Sequence, residues 1–268
     1  KNIDQNRNNI SFEEITRFRY PYSELKNFIN PYLNGNPKLG TYQFLHSKSN
    51  DMYIFWENTG YIGIIPLLLF FFFIYKTTRS KQDKKNLTNP LLIPLIISFI
   101  LIFGKDSPLY FLFTIPPFNL FRVPSRFLII IVFAISVLAT DSIKYLTTSI
   151  KNKKIKNSIL VFLILLSFLD LYLNFSDYHL YVNNKELTKE PESLEHIKNT
   201  KIFTDNKSHS QAWNYYFFKG WSDENPYLHF KNYLLANANI IYNTSSMNNT
   251  LELQTSRYRW NLKLLDEG

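Results

Sequence analysis

The sequence predicts an α-helical membrane protein, with about four transmembrane helices followed by a small extracytoplasmic α/β domain. Three observations predict it: four stretches are apolar on every side, lysines crowd alternate loops between them, and the last third loses that apolar character. Averages point elsewhere. A net charge of +9 and a mean hydropathy of −0.16 describe a basic soluble protein and invite a nucleic-acid partner. Position along the chain overturns that impression.

Residues 1–57 read as an extracytoplasmic region, near neutral with seven basic and six acidic side chains. Ser11-Phe-Glu-Glu14 fits a capping box that opens a helix, and Pro21, Pro31 and Pro37 punctuate the stretch beyond it. The chain begins at Lys1 without an initiator Met, and no signal peptide precedes the first span.

Residues 58–175 form the predicted membrane domain. Its uninterrupted apolar runs, 61–75, 91–104, 127–139 and 159–169, hold 15, 14, 13 and 11 residues. A bilayer needs ~20, so weakly polar flanks extend them to spans near 59–75, 87–103, 127–146 and 158–173. A helix that is hydrophobic all round belongs in a large core or in lipid.

The charge map supplies a second line of argument. Residues 76–86 hold Lys76, Arg79, Lys81, Lys84 and Lys85 against Asp83, and residues 140–157 hold Lys144, Lys151, Lys153, Lys154 and Lys156 against Asp141. The stretch between, 105–126, holds only Lys105, Arg122 and Arg126 as basic residues. Alternation of this kind is the positive-inside pattern. It predicts a multi-pass bacterial cell-membrane protein with 76–86 and 140–157 cytoplasmic, and 1–57, 105–126 and 176–268 extracytoplasmic. Each cytoplasmic loop carries +4, so eight of the nine net charges mark topology. The expected partner is membrane lipid, and no nucleic acid.

Residues 176–268 read as the outer α/β domain. Short strands are expected at 201–204 and 240–242, and helices at 192–199 and 229–236.

Chemistry is narrowed first by exclusion. The absence of cysteine removes disulfides, thiol catalysis and cysteine-ligated zinc. The five histidines form no i,i+4 pair and no HExxH, so no metal site is expected. No GxGxxG, P-loop or GxSxG occurs, and no cofactor is expected.

The loop before the third span is the most informative segment. Ser107-Pro108 is a good N-cap and N1 pair, predicting a short helix over 108–113 that Pro116-Pro117 ends. Arg122 and Arg126 then bracket Val-Pro-Ser125 at the outer mouth of the third span. Their guanidinium forks match phosphate oxygens and suit a lipid-linked phosphate; snorkelling anchors are the plain alternative. Trp56-Glu57 through Tyr61 opens the first span on the same side. Glu57 can serve as acid or base, pair with Arg122 or Arg126, or be a helix-start carboxylate beside an aromatic belt. Asp170 interrupts the fourth run, and an ionisable residue inside a span is a functional candidate. Hydration or an arginine partner explains it equally well.

Several segments together resemble one family. Trp56-Glu57…Gly60-Tyr61-Ile-Gly63-Ile-Ile-Pro66-Leu-Leu-Leu resembles the WE…GYxGxxPLLL entry to a span in YfhO-like bacterial membrane proteins. Gly104…Ser107-Pro-Leu-Tyr110, followed by Pro116-Pro-Phe-Asn-Leu-Phe-Arg122-Val-Pro-Ser125-Arg126-Phe127, is similar to its G…PLY…PPF…FRVPSRF segment. Phe168-Leu-Asp170-Leu-Tyr is similar to its DL exit, and 234–242 with Arg257-Tyr258 to its outer-domain pattern. The family has Pro where Ala236 stands, Gly where Asn243 stands, and Gly-Tyr where Asn249-Thr250 stand.

That family is identified as a member of the GT-C glycosyltransferase superfamily. The resemblance implies transfer of a sugar from a polyprenyl-phosphate carrier to an envelope glycopolymer or lipid on the outer face. It implies Arg122 and Arg126 on the carrier phosphate and Glu57 as the candidate catalytic carboxylate, with Trp56, Tyr61, Ser125 and Asp170 supporting. The partners would be a polyprenyl-phosphate-linked sugar and an envelope glycan acceptor. In such enzymes the general base usually lies in the first outer loop, so this chain is expected to be a C-terminal part that lacks the base. Two other classes stay open: a non-catalytic envelope protein that binds lipid-linked glycans, and a transporter or flippase in which Asp170 pairs with an arginine.

Overall fold

The computed structural model describes Phe12 and residues 16–42, 54–79, 90–116, 118–120, 123–179, 184–197, 201–235 and 238–246. Ser11, Glu14, Arg122, Ala236, Asn249, Arg257 and the lysines at 81, 84 and 85 lie outside the described residues. The described residues fall into two compact units: 16–35 with 54–179, and 36–42 with 184–246.

In the first unit each apolar run becomes a helix. The short α1 spans Phe55–Asn58, α2 Ile64–Arg79, α3 Leu92–Leu101, α4 Leu128–Thr148 and α5 Lys153–Phe175. The helix of the first span starts five residues later than 59, because Gly63 has a φ of +93° that no right-handed helix accepts. Pro66 falls in the first turn of α2, where its missing N–H costs nothing. Helix α3 has ten residues and so rises only about 15 Å, shorter than the expected 87–103. The other two are long. A 3₁₀ turn, Pro124–Phe127, leads straight into α4, and Asn152 caps α5 by accepting the N–H groups of Lys154 and Ile155. Residues 124–148 and 153–175 are each long and apolar enough to cross a membrane.

Helices α2 and α4 pack along their lengths, and α3 lies against α4. Their shared core holds Leu67 and Phe73 of α2, Leu95 of α3, and Ile131, Ala134, Ile135 and Leu138 of α4. Ala134 is fully buried and lets the backbones approach closely. The Ser142 hydroxyl of α4 donates to the Leu69 carbonyl of α2. Helix α5 is different in kind: it buries no residue, and Ile164, Phe168 and Leu173 are 65–70% exposed. Helix α5 meets α2 and leaves most of its apolar surface uncovered, the kind of patch that marks a membrane or protein interaction site.

The segment at 16–35 is stitched to the loop between α3 and α4. Tyr20 N–H donates to Ile102 O at 3.0 Å, Ser125 N–H to Phe18 O at 3.3 Å, and Arg19 pairs with Asp106 at 2.8 Å. Gly104 sits at φ +55°, and a Cβ there would meet Arg19 Cβ at 2.9 Å, so this motif glycine lets segment and loop touch. The helix expected at 108–113 is instead a 3₁₀ turn, Tyr110–Thr114, whose entry Ser107 fixes by accepting Leu109 N–H at 3.1 Å.

The second unit carries a two-stranded parallel pair, β1 (Lys201–Ile202) and β2 (Ser245–Ser246), with Lys201 opposite Ser245. Helices α6 (Asn184–Thr188), α7 (Asn206–Lys219), α8 (Asn225–Asn232) and α9 (Ala238–Ile241) surround it in sequence. Residues 240–241, expected as strand, belong to α9. Asn243 ends that helix at φ +51°, a left-handed conformation Asn tolerates nearly as Gly does. The helix expected at 192–199 is a 3₁₀ turn, Glu192–His196, and the one expected at 229–236 is α8, begun earlier by Pro226 in its first turn. Trp221, Leu234 and Leu235 form the buried centre, and Trp221 N–H donates to Lys38 O at 2.9 Å.

Candidate functional site

Two polar constellations interrupt the apolar first unit, and each joins sequence segments far apart. The first lies where α1 packs on the 124–127 turn at the head of α4. Arg126 Nη2 and Nε lie 2.9 and 3.1 Å from Glu57 Oε1, and Nε also lies 3.2 Å from Oε2. The guanidinium thus grips the carboxylate with two nitrogens, the geometry that makes such pairs directional. The Glu57 side chain is 20% exposed and the Arg126 side chain 61%, so the pair rims the surface. Of the two expected arginine partners for Glu57, the structure brings Arg126; Arg122 lies outside the described residues. Trp56 beside them is half exposed, whereas Asn58 and Ser125 are buried to 2% and 1% exposure. Asn58 Nδ2 and Ser125 Oγ find no hydrogen-bond partner among the described residues.

The second constellation surrounds Asp170 of α5. Tyr61 Oη donates to Asp170 Oδ1 at 2.6 Å, and Ile64 N–H donates to Oδ2 at 2.6 Å. Asn174, one turn on, donates from Nδ2 to Oδ1 at 3.1 Å and to Tyr61 Oη at 3.2 Å. Ile64 is the first residue of α2, so the carboxylate of one helix satisfies the open N-terminus of another, where the dipole favours negative charge. Gly63 is needed for this. Its φ of +93° aims the Ile64 N–H outward, and a Cβ there would stand 3.1 Å from Asp170 Oδ2. Among the described residues Asp170 is held by Tyr61, Ile64 and Asn174.

Tyr32 extends the network outward, donating to Asn174 O at 2.9 Å. Burial, with the Asp177 charge second, pushes its phenol up to about 12. The Asn174 contribution had a weak signal in its i,i+4 spacing from Asp170; that of Asn58 had none. Among the described residues no three His, Asp or Glu gather as metal ligands. An apolar cleft of about 460 Å³ runs between α2, α3 and the 3₁₀ segment Tyr22–Phe28, lined by Leu25, Phe28, Phe70, Phe99 and Ile135 among others.

Comparison with known protein families, with curated proteins and with solved structures finds no match to this chain.

Proposed function

We propose that this chain is part of a GT-C-like membrane glycosyltransferase that moves a sugar from a polyprenyl-phosphate carrier to an envelope glycopolymer or lipid on the outer face. The observation that carries the reading is the two-nitrogen grip of Arg126 on Glu57. It joins the two sequence segments that most closely resemble that family, at the head of an apolar helix long enough to cross a membrane. The four predicted spans and their orientation belong to the same proposal, with the Glu57–Arg126 rim facing outward.

In this reading the acceptor's hydroxyl oxygen bonds to the anomeric carbon as the bond from that carbon to the phosphate oxygen breaks. The electron pair leaves with the polyprenyl phosphate. The acceptor's proton passes to a carboxylate base that the resemblance places in another outer loop. Glu57 is a positioning residue: it fixes the plane of the Arg126 guanidinium, which with Arg122 stabilises charge growing on the departing phosphate. The apolar cleft offers room for part of an isoprenoid tail. The Asp170 clasp holds α5 to α2 and serves the site only through the fold.

The test is sugar transfer in membrane vesicles supplied with radiolabelled polyprenyl-phosphate sugars. Wild-type vesicles should transfer label to a membrane glycan, and Arg126→Ala should cut the rate by about 10²-fold or more, the scale of lost oxyanion donors. Transfer unchanged by Arg126→Ala would remove the site, and no transfer with any carrier would favour a glycan-binding protein.

A further inference from the structure

The second unit holds a cleft of about 370 Å³ between α6 and α8, within the size range of small-molecule sites. Its lining mixes charges: Glu186, Lys189, Glu190 and Glu192 on one side, Leu228 and Lys231 of α8 on the other. Lys231 is 8% exposed, so a charged residue lies buried in the wall. Its Nζ donates to Glu186 O at 2.7 Å and to Lys189 O at 3.2 Å, tying the last turn of α8 to α6 and the residue just beyond it. Beside the cleft, Ser193 Oγ donates to Asn232 O at 3.4 Å and holds the same two segments together. The carbonyl contacts make Lys231 a helix cap, and they occupy two of the three donors of an ammonium. They bring it no full negative charge. Among the described residues no carboxylate forms an ion pair with Lys231, and no cation forms one with Glu186, Glu190 or Glu192. Buried charges are normally paired, so capping alone leaves the missing counter-charge unexplained.

We propose that this cleft binds a free basic amino acid, with the α-carboxylate on Lys231 and the cationic groups toward the glutamates. The lining selects that class. A simple anion would answer Lys231 but meet three carboxylates, and a simple amine would answer the carboxylates but leave Lys231 unpaired. Three carboxylates against two ammonium groups suit a ligand with one carboxylate and two cationic groups, which describes lysine and arginine. A metal ion does not fit, because no three acidic or histidine side chains gather as ligands among the described residues. Leu228 offers apolar contact to the methylene stem of such a ligand. The site lies wholly within the second unit and stands apart from the transfer reading.

The test is isothermal titration calorimetry of the full chain in lipid nanodiscs, with L-lysine and L-arginine as probes. Cadaverine, which lacks the carboxylate, and norleucine, which lacks the side-chain ammonium, are the controls. The wild type should bind lysine or arginine, and each control should bind at least tenfold more weakly, the scale of one lost charge-assisted contact. Lys231→Met keeps the apolar stem and removes the ammonium, so it should erase the preference for lysine over cadaverine. Its Tm should also fall, because two carbonyls lose their donor. Glu190→Gln combined with Glu192→Gln alters only exposed side chains; it should weaken lysine binding about tenfold or more at an unchanged Tm, and it decides the matter if Lys231→Met does not fold. Failure of the wild type to bind either amino acid overturns the proposal. So does binding of cadaverine or norleucine as tight as that of lysine, or wild-type affinity in the glutamine variant. Lys231 would then be a helix cap and nothing more, and the sugar-transfer assay would be unaffected.

Discussion

Asp170 and Tyr61, 109 residues apart in sequence, are joined by a hydrogen bond of 2.6 Å that ties the C-terminal part of α5 to the entrance of α2. The second carboxylate oxygen takes the Ile64 N–H, so one side chain satisfies both a buried phenol and an open helix end. Because α5 buries no residue of its own, this clasp is a main point of attachment between α5 and the helical core.

Gly63 is the residue that clasp tolerates least changing. Gly63→Ala must hold a side chain at φ +93° with its Cβ 3.1 Å from Asp170 Oδ2. Strain of this kind costs about 1–3 kcal/mol. Thermal unfolding in detergent micelles, followed by tryptophan fluorescence, should show a clearly lower Tm; an unchanged Tm would mean the turn is not built this way.

Asp170→Leu should cost more than Tyr61→Phe. The first leaves a hydroxyl and a helix-end N–H without an acceptor, each worth about 1–3 kcal/mol, and takes one acceptor from the Asn174 amide, whereas the second removes the bond to Asp170 and the one accepted from Asn174, each worth roughly 1 kcal/mol, and leaves the helix-end N–H satisfied. In the Asp170→Leu background, Tyr61→Phe should cost almost nothing or stabilise, because the orphaned hydroxyl goes with it. Strictly additive losses would contradict the coupling.

The chain has no cysteine, so single cysteines report without interference. Placed at Phe162, Leu165 and Phe168, whose side chains point away from protein on α5, they should resist a membrane-impermeant maleimide and be quenched, when fluorescently labelled, by lipids carrying mid-chain nitroxides. Ready labelling of all three by the maleimide would remove α5 from the membrane.

Tyr32 gives an alkaline signature. Its phenol titrates near pH 12 when folded, against 10 when unfolded. Between those values the folded state holds the proton that the unfolded state has lost, so stability falls as pH rises through this window. Tyr32→Phe should flatten the fall, and ring-labelled tyrosine NMR should show one late-titrating resonance disappear. A Tyr32 resonance that titrates at 10 would contradict its burial.

Local pattern carried the helices. Four apolar runs became α2 to α5 because all-round hydrophobicity needs no knowledge of partners. Their limits depended on single backbone features, such as Gly63, that the apolar pattern does not show. The second unit was less legible. Ile240-Ile-Tyr242 is too short for periodicity to separate strand from helix, and Asn206–Lys219 mixes polar and aromatic residues without an apolar stripe. The site was legible as a cast of residues but not as contacts. Glu57 had two arginines to choose from, and for Asp170 hydration and an arginine partner were equally open, whereas a phenol and a backbone N–H 106 residues away hold it. Pairings at such separations are products of the fold.

In the proposed sugar transfer Glu57 and Arg126 act as one unit. Arg126 is well exposed, so the pair contributes no more than about 1 kcal/mol to stability, and lost activity in its variants cannot be put down to unfolding. The decisive measurement is a double-mutant cycle on transfer in vesicles: wild type, Glu57→Gln, Arg126→Ala and both together, each checked for Tm. Both single variants should lose most transfer at nearly constant Tm, with the double variant no worse than Arg126→Ala alone. Full transfer by either single variant, or losses that simply multiply, would contradict it.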